Sequence, residues 1–292
     1  MKESLGFICD SSADFPPGLV EELGVHVLPV HILVDNKDYL HGHTINNNEV
    51  IKALKNKREV YTKPFFPHEC QDFLRKLLKR YEEVIFLHVS SHLSDIYKSA
   101  RMGLDLLSDK EKERIHLIDL KTVSIHMGQS VKKAIQYMRS SPGKSLNDLK
   151  SMLSSNKGNS FMGFTVDSLY WLRKGGRISA LQSLVGGILN IKPTIVLEND
   201  RLQPKEKHSG KKPALKNLVE MSAELSRRHS NNCDIWLGYT DNLDEVMFTR
   251  EKLATIIDRK VEDMKLIQIG ATISAHTGPG CVGISIMDNN WD

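Results

Sequence analysis

The 292 residues carry 40 Lys and Arg against 36 Asp and Glu, a formal net charge of +4, and 40% of them are hydrophobic. A balance this near neutrality makes no electrostatic case for nucleic acid or an anionic membrane as partner, and no run approaches the ~18 apolar residues of a membrane-spanning helix. The four cysteines, Cys9, Cys70, Cys233 and Cys281, are scattered without a CxxC pair, which argues against zinc ligation, a redox pair or a disulfide framework.

The N-terminal stretch is too briefly apolar for a signal peptide, so a cytoplasmic protein is the expectation. Leu5 to Cys9 reads as the first strand, ended by Asp10-Ser11-Ser12-Ala13-Asp14. Pro16-Pro17-Gly18 opens a short helix through Leu23. Val25 to Val34 is apolar and β-branched and predicts one second strand, with Asn36-Lys37 as its turn and Tyr39-Leu40 returning. Asn46 to Lys55 reads as a helix with Val50, Ile51 and Leu54 on one face. Val60 to Pro67 is predicted as loop, since it holds two prolines within four residues, and Pro67 opens a helix to about Tyr81.

The stretch from His88 to Arg101 carries the most chemistry. It follows the buried-strand run Val84 to Leu87, passes through Ser90, Ser91, His92 and Ser94, and enters a helix with Ile96, Ala100, Leu104 and Leu107 on one face. Ser94 is the expected N-cap. Free N–H groups, a helix dipole and several hydroxyls would converge where an anion could sit.

Ile115 to Ile118 reads as a strand, Val123 to Tyr137 as a helix, and Ser145 to Asp148 as the capping box of another. Strands alternating with helices predict a parallel-sheet α/β unit. A polar break at Lys157-Gly158 divides the chain, giving domains 1–157 and 158–292. In the second half Phe161 to Val166, Ile191 to Leu197, Arg201 to Lys207, Ile235 to Tyr239, Leu266 to Ile269 and Val282 to Met287 read as strands. Ala180 to Leu189, Lys212 to Arg228 and Leu243 to Ile257 read as helices, and Asn199-Asp200 as a hairpin turn. The mixture predicts a second α/β domain with antiparallel strands.

Arg173-Lys174-Gly175-Gly176-Arg177 has neither the Walker spacing nor the dinucleotide spacing, so no nucleotide site is supported. There is no GxSxG elbow and no kinase motif set. The HxH pair His41/His43 has no third ligand nearby, and no metal is expected. His276-Thr277-Gly278-Pro279-Gly280 reads as a sharp turn. The lysine-rich patch from Lys205 to Lys216 lacks interleaved aromatics and reads as a solvated face.

Taken in order, several stretches together resemble the DegV family of bacterial fatty-acid-binding proteins. They are the Asp10–Asp14 motif, the loop at Thr62, Ser90 to Ser94 with Tyr97 and Ser99-Ala100, Leu172 to Ser179, Asn190 to Pro193, and His276 to Gly280. The resemblance implies two α/β domains with one long-chain fatty acid, such as palmitate, in the cleft between them. It implies no cofactor and no catalysis by the protein itself. Hydroxyls at Thr62 and Ser94 would hold the carboxylate, with Arg177 and His276 near the head group. It implies a carrier that presents the acid to a separate fatty acid kinase. The chain departs from the family pattern at Lys63, Asp95, Ile96 and Ser209. Lys63 and Asp95 are expected to offset each other at the cleft mouth, and the tail is expected against Phe161, Leu184, Ile188, Ile195 and Ile284. Thr62, unlike Ser94, is expected to have no structural duty. The rival readings are a kinase-like subunit for a small polar substrate and a regulatory protein using the lysine patch.

Overall fold

The computed structural model describes residues 2–140, 143–155, 159–178, 191–229 and 232–289. The helix expected over 180–189 and the boundary expected at 157/158 lie outside the described residues.

Strand β1 (Glu3–Asp10) leads through helix α1 (Leu19–Leu23) to β2 (His26–Leu28), parallel to β1. The single strand expected from Val25 to Val34 is in fact two. Pro29 has no N–H for a ladder, and beyond it the chain leaves β1 and continues as β3 (His31–Val34) in another sheet. β3 turns into β4 (Lys37–Leu40) through Asp35 and Asn36, at φ 48° and 66°, one residue earlier than expected. Consecutive positive φ values make the tight hairpin turn that Asn and Asp tolerate. Helix α2 (Asn47–Lys55) starts on a capping box between Asn46 and Glu49.

Val60 to Lys63 is strand β5, where loop was expected. The prolines constrain the chain only from Lys63 onward, whereas Val60, Tyr61 and Thr62 are strand formers that pair antiparallel with β3. Helices α3 (Pro67–Arg80), α4 (Ile96–Asp105), α5 (Asp109–Lys112), α6 (Ser124–Ser140) and α7 (Leu146–Ser155) and strands β6 (Tyr81–His88) and β7 (Ile115–Asp119) complete the first half. Its sheets are a parallel one, ordered β2-β1-β6-β7, and a small antiparallel one, ordered β4-β3-β5.

The second half builds a mixed sheet. It comprises β8 (Ser160–Thr165), β9 (Ile191–Glu198), β10 (Arg201–Ser209), β11 (Cys233–Tyr239), β12 (Lys265–Gln268) and β13 (Val282–Asp288), with helices α8 (Tyr170–Lys174), α9 (Lys211–Arg228), α10 (Leu243–Ile257) and α11 (Ala271–Thr277). The order is β10-β9-β8-β13-β11-β12, antiparallel except between β11 and β12. Asn199 and Asp200 make the expected hairpin turn, at φ 49° and 66°. Helix α11 was not expected, and His276 lies in its last turn.

Two helices tie the halves together. From the first half, α6 lies on the mixed sheet: His126 Nδ1 is 2.7 Å from Ser285 Oγ, and Gln129 donates to the Asp234 carbonyl at 2.9 Å. From the second half, Ala271 and Ala275 of α11 share a core with Ile32 of β3 and with Val50 and Leu54 of α2. Residues far apart in sequence thus meet along one seam.

Candidate ligand cavity

The acidic motif after β1 braces that seam. Asp10 is buried and its two oxygens accept N–H bonds from Ser12 and Val89, both at 2.9 Å, which joins the ends of β1 and β6. Asp14 accepts from Ser124 Oγ at 2.6 Å and from the Gly270 N–H at 2.8 Å, linking the start of α6 to the start of α11. Burial pushes the Asp14 carboxyl up to about 7, against the pull of those two bonds. His41 also serves α11: its Nε2 accepts from the Ala271 N–H at 3.1 Å, so its Nδ1 donates to Thr272 Oγ1 at 2.8 Å. Both nitrogens of this HxH histidine are therefore engaged in structure.

Inside the seam is a cavity of about 220 Å³, and Thr62, Ser94, Arg177 and His276 all line it. Thr62 projects from β5 with its Oγ1 2.8 Å from His276 Nε2. The lack of a structural duty expected for Thr62 is thus corrected: its hydroxyl is the one hydrogen-bond partner that the buried imidazole has among the described residues. Nδ1 of His276 is buried without a partner among the described residues. Burial, and then the Arg177 charge, hold this imidazole down to about 3, so the ring is neutral. It lies against Gly175, where a Cβ would come within 2.3 Å of Nδ1.

Arg177 is fixed by Nε donating to the Leu93 carbonyl at 2.9 Å and by Nη1 donating to the Gly175 carbonyl. The Ser90–Ser94 loop and the Gly-Gly turn are held together through it. Ser94 is not the N-cap of α4: Asp95 occupies that position, without a side-chain cap bond. Ser94 Oγ accepts the Ile96 N–H only at a long 3.3 Å, which leaves its hydroxyl proton for another acceptor. Ser99 of α4 donates to the Phe65 carbonyl, clamping the segment after Thr62 to the helix after Ser94.

Lys63, at the end of β5, and Asp95 both line the cavity, but the ion pair made by Asp95 is with Lys98 at 2.7 Å. Ile96, Met162, Phe164, Leu172, Ile269 and Ile273 supply much of the apolar wall. The tail-lining residues expected from the sequence need correction. Phe161 and Ile284 face the opposite side of the sheet, in a core with Leu218 of α9, whereas Ile195 lies on the cavity face beside Phe164 but packs behind the wall rather than lining it. On β8 and β13 the wall is made by their neighbours Met162 and Gly283, because side chains alternate faces along a strand. Leu184 and Ile188 lie outside the described residues. Thr272 and Ile273, wall residues of α11 beside the expected His276, escaped sequence reading because its seven residues show little helical periodicity.

The arrangement is amphipathic. Two hydroxyls, a guanidinium and a neutral imidazole face a largely aliphatic and aromatic wall, to which Ser12, Ser124, Thr272 and Thr277 add further hydroxyls. Such a cavity suits a small anionic head on an apolar tail. The lysine patch is partly neutralised, with Lys205 on Glu198 at 2.7 Å and Lys211 on Asp167 at 2.8 Å. Among the described residues no helix is long and apolar enough to cross a membrane, and no group of three His, Cys, Asp or Glu could hold a metal ion.

Residues 4–289 match the model of a family described as uncharacterised proteins of the DegV family. A DegV domain-containing protein of Clostridium perfringens is 30% identical, over 95% of each chain. Among solved structures, a DegV family protein of Streptococcus agalactiae described as fatty-acid-binding is 25% identical, with a TM-score of 0.84 over 99% of this chain and 100% of that one. A DegV family protein from Thermus thermophilus, also described by its fatty acid binding, superposes with a TM-score of 0.86 at 24% identity, over 98% and 99%.

Proposed function

This chain belongs to the DegV family, and we propose from that premise that it binds a long-chain fatty acid such as palmitate. The carboxylate is held by Thr62 and Ser94 with Arg177 and His276 beside it, and the acyl tail fills the cavity between the two domains, 1–157 and 158–292. The single observation that carries this reading is the convergence of four residues from four distant stretches on one largely apolar cavity. The fatty-acid binding described for the Streptococcus agalactiae relative supports it.

The energetics suit a lipid. Each buried methylene contributes roughly 0.8 kcal/mol, so a tail of about fourteen gives on the order of 11 kcal/mol before ordering costs. A charge-assisted hydrogen bond contributes only about 1.5–3 kcal/mol. The tail sets affinity and the hydroxyls set orientation. The protein has no chemistry of its own in this reading. It acts as a cytoplasmic carrier that presents the carboxylate to a fatty acid kinase, and Ser94 and Arg177 also line an open cleft through which a second protein could reach the head group.

Extraction of purified protein under denaturing conditions, followed by mass spectrometry, tests the proposal. About one equivalent of a long-chain acid is expected. Protein free of acyl chains that also binds none when palmitate is added would overturn it, and would leave a small polar substrate as the better reading.

A further inference from the structure

The cavity adjoins two other spaces, whose linings have no residue in common among the described residues. Its polar end shares Ser94, Asp95 and Arg177 with the open cleft. Its other neighbour is a space of about 370 Å³, and among the described residues a single one, Met162, lines both. Met162 is 7% exposed and projects from β8 to the same side as Phe164, two residues on, since alternate side chains share a face. Behind it lie Leu153, Phe161 and Met287, together with Thr122, whose buried Oγ1 has no hydrogen-bond partner among the described residues.

We propose that Met162 is the wall at the tail end of the cavity and sets the longest acyl chain that the protein accepts. The inference rests on the fatty-acid reading and deepens it by naming the residue that measures the ligand. The polar end opens to the cleft, so a bound acid enters with its tail pointing inward, toward the end that Met162 closes. Methionine suits such a wall because its unbranched, polarisable side chain fills an irregular gap and packs against a terminal methyl without a polar demand. Space exists beyond it, so the limit is one side chain rather than the body of the sheet.

The test compares delipidated wild type with Met162→Ala, Met162→Val and Met162→Phe, using saturated acids of increasing length. Met162→Ala removes three heavy atoms, room for about two methylenes, and each added methylene is worth about fourfold in affinity. The best-bound length should therefore rise by about two carbons, with about fifteenfold tighter binding of that longer acid. Met162→Val should shift the profile in the same direction by less, and Met162→Phe should shorten it. Met162→Val, β-branched and suited to a strand, keeps the test open should the alanine variant fail to fold. Wild type that binds acids, with folded variants whose length profile is unchanged, overturns the wall alone. Wild type that binds no acid overturns the lipid reading and the wall together.

Discussion

Thr62 and His276 share one hydrogen bond, and its direction decides what Thr62 can offer a ligand. An ionised carboxylate accepts only. Thr62 can donate to it only if His276 carries its proton on Nε2 and donates to Thr62 Oγ1, leaving Nδ1 bare beside Gly175. The imidazole thus fixes the threonine as a donor, and removing the threonine strands a buried ring nitrogen. Thr62→Val should weaken fatty-acid binding by about 1–3 kcal/mol and lower the stability of lipid-free protein by a similar ~1–3 kcal/mol. Ser94→Ala, which loses only the long bond from Ile96, should weaken binding by about the same amount with a stability loss below ~1 kcal/mol. Titration with palmitate and urea unfolding of both variants measure the four quantities. A Thr62→Val protein as stable as wild type would show that the imidazole does not need this partner.

At the level of elements, the turn after α11 is shaped by a close approach to α8. Gly278 has φ +73°, and a Cβ there would lie 1.9 Å from Trp171 Cδ1. Gly143 offers a control: its φ is +92°, and nothing stands within 4 Å of its missing Cβ. Gly143→Ala should cost only the left-handed backbone penalty, about 1–2 kcal/mol. Gly278→Ala costs more than that in the backbone, since its ψ of −173° lies in a region that essentially only glycine populates, and it adds a steric overlap worth about 1–3 kcal/mol and moves His276 by displacing the end of its helix. Equal losses in denaturant midpoint for the two variants would contradict a packed contact at Trp171.

For the molecule as a whole, the buried histidines set the response to acid. Burial holds His41 and His126 down to about 4 and His276 to about 3. In the unfolded chain each returns to about 6.5. Between those values the unfolded state binds protons that the native state refuses, so stability falls as pH drops below about 6.5. Asp14, raised to about 7, and Asp10, also raised by burial, pull the other way, since the native state keeps protons that the unfolded chain has released. His31 drops out near pH 5. Burial opposes its charge, but bonds to Glu69 and Asp38 raise it above the ordinary value, and it is protonated in both states. His26, also lowered by burial, and Glu245, also raised by it, add one group to each side. The three deeply buried histidines against Asp14 and Asp10 therefore leave about one to two extra protons on unfolding, or about 1.5–3 kcal/mol per pH unit near pH 5. Urea unfolding at pH 7, 6 and 5 measures the slope, and stability that is flat or rising toward pH 5 would exclude this account.

The local code of the sequence determined most of the elements. Hydrophobic periodicity located β1, α2, β6, α3, α6, α9 and α10, the capping box at Ser145 marked a helix start, and Asn199-Asp200 marked a hairpin. These signals act over a few residues and need no partner. The family, and with it the candidate head-group residues, was legible from the ordered motifs. Four features depended on contacts far along the chain. Pro29 switches the chain between sheets, and β5 exists because β3 offers it a ladder. Helix α11 is held by Asp14 and His41 from more than two hundred residues away. The parity of β8, which turns Met162 rather than Phe161 to the cavity, is decided by which face of the sheet α9 covers. A strand in a sheet covered on both faces is apolar throughout, so its pattern does not say which side faces the ligand. Only the packing of helices on the two faces resolves it.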